Sequence, residues 1–183
     1  MNNKALLIID MQKGSFTPDT PRLDTDGVVT RINELSDLFR KLGFPAIYIQ
    51  HDGNGAGEFK KGDWDWENLE ALNVEPTDLT VDKYANDSFY KSALADTLNS
   101  LNAEQLYITG CATDFCVEAT IQSAIAKDYD LTVVADAHTT ADRPQLKAQQ
   151  VIDHYNWVWQ NMTPVGGRVS VKPLKEIKTG LSK

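Results

Sequence analysis

The spacing of apolar residues changes period repeatedly along the chain. Residues 4–9 (KALLII) form a short apolar run after one lysine, the length of a strand buried on both faces. Between 27 and 42, Val28, Ile32, Leu35, Phe39 and Leu42 recur in alternating steps of four and three, which is a helical stripe. Asp24, Thr25 and Asp26 offer caps at its start, and Gly43 and Pro45 stop it. Residues 46–50 (AIYIQ) read as a second strand and 79–82 (LTVD) as a weaker third. The segment 92–101 is helical, with Ala93, Leu94, Leu98 and Leu101 on one side. A fourth strand follows at 106–109 (LYIT). A helix over 116–127 presents Val117, Ile121, Ala124 and Ile125, and a fifth strand covers 131–135 (LTVVA). Pro144 suits a first helical turn, so a helix is predicted from there to about 161. A short last strand is expected at 169–171, and the basic tail from Lys172 is expected to be loose.

Strand and helix alternate throughout, which predicts an α/β fold: a mostly parallel six-stranded sheet with helices on both faces, in three layers. No repeat, low-complexity segment or boundary interrupts the pattern, so one domain over 1–183 is expected. The Gly-rich stretch 53–62, with Trp64 and Trp66 after it, is long enough for a functional loop.

Composition narrows the function. The 183 residues are 42% hydrophobic and 24% charged, an ordinary globular balance. Acidic residues outnumber basic ones 26 to 18, giving a net charge of -8. Such a surface repels phosphate backbones, so nucleic acid is not an expected partner. The first residues lack the long apolar stretch of a signal peptide, and no window approaches the ~20 apolar residues of a membrane span. A cytoplasmic protein without a membrane partner is expected. Cys111 and Cys116 lack CxxC spacing, and no disulfide is expected in a reducing compartment.

In open α/β sheets, ligands bind outside the carboxyl ends of the strands, near the point where strand order reverses. The predicted strands end in Asp10, in His51 and Asp52, in Lys83, in Gly110 leading to Cys116, and in Asp136 and His138. Each strand thus delivers a chemically capable group to one rim. Cys116 falls in the first turn of a predicted helix, where thiolate is favoured over thiol; the alternative is a small buried core residue, which suits Cys111 better. Asp10 closes an apolar strand, where partial desolvation raises a carboxyl towards a general base; alternatively it only closes a turn. Lys83 taken alone reads as a solvated surface lysine. His51 could ligate a metal, but His51, His138 and His154 form no HxH or HxxxH pair, so no metal site is predicted. The four tryptophans read as core and interface residues rather than a substrate cage. GxGxxG, GxxxxGK[ST] and GxSxG are all absent.

These residues sit in segments that resemble a known family. The chain is similar to the isochorismatase-like cysteine hydrolases, a superfamily that also holds nicotinamidases and carbamoyl-amide hydrolases. The landmarks are LLIIDMQ at 6–12 with Phe16 after it, YIQHDG at 48–53, VDKYANDSFY at 81–90, TGCATDFCV at 109–117 and VVADAHTT at 133–140. Asp, Lys and Cys occur in the family's order. The resemblance implies the isochorismatase-like hydrolase fold, which is Rossmann-like. It implies Cys116 as nucleophile, Asp10 as general base, and Lys83 as the cation that holds the pair. It implies a cis peptide at Cys111–Ala112, and an oxyanion hole from the Ala112 and Cys116 N–H groups.

The departures refine that expectation. Nicotinamidases of the family bind a metal through Asp-x-His after the second strand, whereas this chain has Gln50-His51-Asp52. No metal and no cofactor are therefore expected. Vinyl-ether-cleaving isochorismatases need no cysteine, so retention of Cys116 favours hydrolysis of a C–N bond, amide or carbamoyl, in a small molecule. Two alternatives stand beside it: an isochorismatase-type reaction with Asp10 as acid, and a non-catalytic oligomeric small-molecule binder. Pocket candidates are Phe16, His51, Trp66, Tyr84, Phe89 and Phe115, whose aromatic bulk suggests a planar or apolar acyl group. The helix after Pro144 carries Tyr155, Trp157, Val158 and Trp159 on more than one side, so a homodimer or higher homo-oligomer is expected.

Overall fold

The computed structural model describes residues 3–53 and 57–181. Part of the Gly-rich stretch expected to form a functional loop therefore lies outside the described residues. Six strands form one parallel sheet: β1 (Asn3–Ile9), β2 (Ala46–His51), β3 (Leu79–Lys83), β4 (Ala103–Cys111), β5 (Asp130–Thr139) and β6 (Val169–Lys172). Their order is β3-β2-β1-β4-β5-β6. The chain winds outward from β1 to one edge, then returns to β4 and winds to the other. Order therefore reverses between β1 and β4, where a crevice opens at the carboxyl ends.

Side chains of β1 alternate between two cores. Leu6 and Ile8 face one cluster, with Val28, Ile32, Leu35 and Phe39 of α1 (Thr25–Lys41). Ala5, Leu7 and Ile9 face the other. That second layer contains α2 (Leu94–Ser100), α3 (Glu118–Ile125) and α4 (Ala148–Gln160). The two-residue period of the strand and the helical stripes meet as the sequence pattern predicts. Among the described residues, no helix is long and apolar enough to cross a membrane.

Three segments differ from expectation. The tail from Lys172 is ordered: α5 (Leu174–Leu181) buries Leu174 and Ile177 in the α1-side core, and Asp136 Oδ1 accepts the Leu174 N–H at 2.9 Å. Two apolar anchors one turn apart in a lysine-rich stretch are too weak a stripe to stand out. The helix expected from Pro144 begins at Ala148, because Asp142 and Gln150 cap it there: Asp142 Oδ1 accepts the Ala148 N–H and Gln150 Oε1 the Lys147 N–H, each at 2.9 Å. On α4, Trp159 is fully buried and Tyr155 and Val158 pack against the core, leaving Trp157 exposed. Finally, β5 runs on to Thr139, so Asp136 and His138 lie inside it rather than at its end.

His138 is consequently a buried link between layers. Its Nδ1 faces the Thr113 hydroxyl at 2.9 Å and its Nε2 the Asn156 Oδ1 at 3.0 Å, while the Asn156 Nδ2 donates to the Ala135 carbonyl. That amide orientation makes Nε2 the protonated nitrogen, so Nδ1 accepts from Thr113. The Trp159 ring packs edge-on at 5.2 Å. Burial lowers the imidazole pKa from 6.5 to about 4.

Two predictions follow from this packing. The unfolded chain binds the His138 proton below about pH 6.5 and the folded chain only near 4. Stability from this group is therefore complete above pH 6.5 and falls as pH drops towards 4, by about 2–3 kcal/mol. Urea unfolding across that range is expected to show this loss, and His138→Gln to flatten it. Gly110 carries the second prediction. It pairs with Ile9 at φ +121°, and a Cβ there would lie 2.1 Å from the Ile9 carbonyl oxygen. Gly110→Ala is expected to cost about 3 kcal/mol or more, a melting-temperature fall of roughly 6–12 °C. Gly180→Ala in α5, where a Cβ meets nothing within 4 Å, is the comparison expected to cost nothing and to gain up to about 1 kcal/mol from helix propensity.

Candidate active site

Asp10 follows β1 directly. Its backbone has φ +47°, a left-handed conformation that turns the chain out of the strand, and its N–H donates to the Ile49 carbonyl at 2.9 Å. Aspartate tolerates this region better than most residues. Lys83 closes β3, two strands away, and its side chain is fully buried. Its Nζ reaches Asp10 Oδ2 at 2.8 Å, the Ala85 carbonyl at 2.9 Å and Cys116 Sγ at 3.3 Å. Three ammonium protons thus meet a carboxylate, a carbonyl and a sulfur.

Cys116 arrives from the opposite side of the switch point. β4 ends at Cys111, the Cys111–Ala112 peptide is cis, and a turn of π-helix follows over Thr113–Val117. The Val117 N–H donates to the Ala112 carbonyl at 3.2 Å, the five-residue closure of that turn. The Cys116 thiol also approaches Asn86 Oδ1 at 3.5 Å. Asp10, Lys83 and Cys116, three residues from three different elements, therefore meet at one point. The cis peptide expected at Cys111–Ala112 is present.

The electrostatics of the cysteine run against the expectation from its helical position. Burial pushes the Cys116 thiol up, the Asp10 carboxylate pushes it further, and Lys83 only partly opposes them. The resting sulfur keeps its proton beside a carboxylate. Burial disfavours the Lys83 ammonium, but Asp10 and Cys116 outweigh that penalty and leave its pKa raised. Asp10 Oδ1 is buried and has no hydrogen-bond partner among the described residues. Cys111 is fully buried, and burial raises its thiol to about 12, as suits a core cysteine.

A cavity of about 210 Å³ opens over this point, with Asp10, Ala112 and Cys116 in its lining. Phe115, Asn86, Arg22 and Arg143 line it as well. Of the six pocket candidates, Phe115 alone is among the lining residues. Phe89 is buried in the second core and stacks on Tyr129 at 5.9 Å. Phe16 packs on the α1-side core. Tyr84 is exposed outside the cavity. Trp66 offers its backbone carbonyl to Gln12 and Gln50. His51 stands behind Lys83, with Nδ1 3.5 Å from Nζ, and burial lowers its pKa. The aromatic lining inferred from sequence is therefore reduced to one ring. The cavity is also below the ~300–1,000 Å³ of pockets for drug-sized ligands.

The residues missed in sequence are polar. Arg143 donates to both oxygens of Asp114, from Nε at 2.7 Å and Nη2 at 2.9 Å, and lies 4.9 Å over the Phe115 ring. Burial opposes ionisation of Asp114, but the Arg143 bonds outweigh it and lower its pKa. Arg143 follows the strand-five rim, where it could have been sought; Arg22, in the loop before α1, carries no such signal. Among the described residues, no three His, Cys, Asp or Glu side chains gather as a metal-ligand set.

Known proteins share this fold and parts of this sequence. Ureidoacrylate amidohydrolase RutB of Methylobacterium radiotolerans is 27% identical, with 72% of this chain aligned to 65% of that protein. Streptothricin hydrolase of Streptomyces noursei is 26% identical over 77% of this chain and 56% of its own length. The chain thus spans less than two thirds of either relative. A crystal structure of an isochorismatase family protein superposes with a TM-score of 0.84 at 30% identity, covering 93% of this chain and 99% of that one. A cysteine hydrolase from Pseudomonas syringae pv. phaseolicola 1448A has the same fold, with a TM-score of 0.88 at 22% identity over 98% and 92% of the two chains. The family model described as the isochorismatase domain matches residues 4–170, and the chain belongs to the isochorismatase family.

Proposed function

We propose that this protein hydrolyses a C–N bond of a small amide or carbamoyl compound through a thioester on Cys116. The observation that carries this reading is the Lys83 ammonium, bonded at once to the Asp10 carboxylate and the Cys116 sulfur at a cavity wall. The amidohydrolase name of one curated relative, RutB, supports the same bond class.

In this mechanism Asp10 removes the thiol proton as Sγ attacks the carbonyl carbon. A buried thiol held protonated at rest requires such a base at the moment of attack. The C–S bond forms and the carbonyl electrons move onto oxygen, which the Ala112 and Cys116 N–H groups receive. The tetrahedral intermediate collapses, the C–N bond breaks, and Asp10 gives its proton to the leaving nitrogen. Asp10 then takes a proton from water, whose oxygen attacks the thioester. The C–S bond breaks, the acid departs, and the sulfur recovers its proton. Lys83 remains charged throughout and keeps carboxylate and sulfur in register. No metal or cofactor enters these steps. A homo-oligomer acting in the cytoplasm remains part of the proposal, with exposed Trp157 as its structural support.

Cys116→Ala is expected to lower turnover of the responsive amide by at least about 10³-fold while the melting temperature holds. Full amide turnover in that variant would remove the covalent step; release of pyruvate from isochorismate that survives Cys116→Ala and is lost in Asp10→Asn would instead support the vinyl-ether reaction, with Asp10 as acid. Absence of turnover by the parent protein across amides, carbamoyl compounds and isochorismate would favour the non-catalytic binder. The buried pair has its own test. Asp10→Asn or Lys83→Met alone leaves one buried charge unpaired and is expected to cost about 3–5 kcal/mol in urea unfolding. The double variant is expected to regain most of that stability and none of the activity. Activity within tenfold of the parent in the double variant would remove both residues from the mechanism.

A further inference from the structure

The charges around the cavity do not cancel. Asp10 is paired with Lys83, and Arg143 with Asp114. Among the described residues Arg22 has no carboxylate partner. Its Nε donates to the Ser15 carbonyl at 2.8 Å, and among the described residues its two Nη groups have no partner. The side chain is half-buried and lines the same cavity as Cys116 and Ala112. Its Nε bond fixes the guanidinium plane from the loop side, so the two Nη groups are the donors left over. Planar paired donors of this kind fit a carboxylate with two parallel hydrogen bonds, which a lysine cannot reproduce. Phe115, held under Arg143, supplies an apolar wall. Asn86 adds an amide near the sulfur.

We infer that Arg22 is a specificity residue that binds a carboxylate on the substrate, so that the compound cleaved is a short acid-amide or N-carbamoyl acid rather than a neutral or aromatic amide. The small cavity agrees with this class: it admits a short chain with an amide at Cys116 and an anion at Arg22. The inference rests on the cavity being the substrate site proposed above. It does not require that the substrate be cleaved.

Calorimetric titration tests it directly. Succinamate and malonamate each carry one amide and one carboxylate; succinamide and malonamide are their neutral counterparts of nearly equal size. Cys116→Ser stops turnover during the titration. On that background, at least one acid-amide is expected to bind about tenfold or more tighter than its diamide. Arg22→Gln is expected to bring the members of each pair to within about threefold, with the diamide affinities unmoved. If the Arg22→Gln protein fails to fold by circular dichroism, Arg22→Lys takes its place, with part of the preference expected to remain. Equal affinities in the background protein, no detectable binding of any of the four probes, or a preference that survives Arg22→Gln would each overturn the assignment. Turnover separates the two proposals. Cleavage of diamides and acid-amides at equal efficiency sinks the Arg22 inference and leaves the amide reaction standing. A carboxylate preference in binding, without turnover of any amide by the Cys116 protein, does the reverse.

Discussion

The ion pair between Lys83 and Asp10 is the constraint on which the site depends. A fully buried ammonium is tolerated only where it is paired and hydrogen-bonded, and each of its three protons needs an acceptor. Asp10 Oδ2 and the Ala85 carbonyl take two at hydrogen-bond length, and the Cys116 sulfur takes the third at 3.3 Å. The pair therefore joins an edge strand of the sheet to its centre beneath β2. Its geometry follows from the backbone. Ile9 pairs with Gly110 so closely that no side chain fits on β4 there, and Asp10 leaves β1 in a left-handed turn held by Ile49. The close approach of two central strands is what lets a carboxylate from one meet a cysteine delivered by the other.

The same low-dielectric setting sets the protonation of the sulfur. A helix N-terminus near a cysteine favours thiolate, but Cys116 is the fourth residue of its turn and sits beside a carboxylate in a largely dehydrated site. Burial and the anion act together, and the lysine, already committed to Asp10, opposes them only in part. A thiol of this kind is inert until a base takes its proton. The chemistry then belongs to the trio as a unit.

Much of the fold is legible in the sequence because period and length agree at each level. The β1 run, the α1 stripe and the strands around Ile47, Ile108 and Val133 all fall where hydrophobic spacing puts them. The convergence of Asp10, Lys83 and Cys116 was also readable, since strand ends in a parallel sheet share one rim. Elements escaped where the signal was local and polar. The start of α4 is set by Asp142 and Gln150 capping, which overrides the helix-favouring Pro144. The α5 helix depends on Leu174 and Ile177 meeting a core that other segments supply. The placement of the aromatic candidates was hidden for a different reason: Phe89 belongs to a segment that turns back into the α3 layer, and no periodicity marks a loop's direction. Arg22 sits in a loop without pattern, so its role depends wholly on three-dimensional placement.

A chain of net charge -8 that binds an anion presents a contradiction only if charge acts at all distances. At physiological ionic strength, exposed charges are screened over ~8 Å, so the acidic exterior weakly repels a small anion on approach and scarcely acts on one already docked. Inside the cavity the balance differs. Asp10 and Asp114 are each matched by a cation at hydrogen-bond distance, and those pairs present little net field to a ligand. Arg22 remains, half-buried and without a carboxylate among the described residues, in a place where water screens it less than at the surface. An extended polyanion meets the exterior charge along its whole length, whereas a short carboxylate meets chiefly Arg22. The same distribution is therefore compatible with the proposed selection of a small acid, which is made by one guanidinium rather than by the charge of the whole chain.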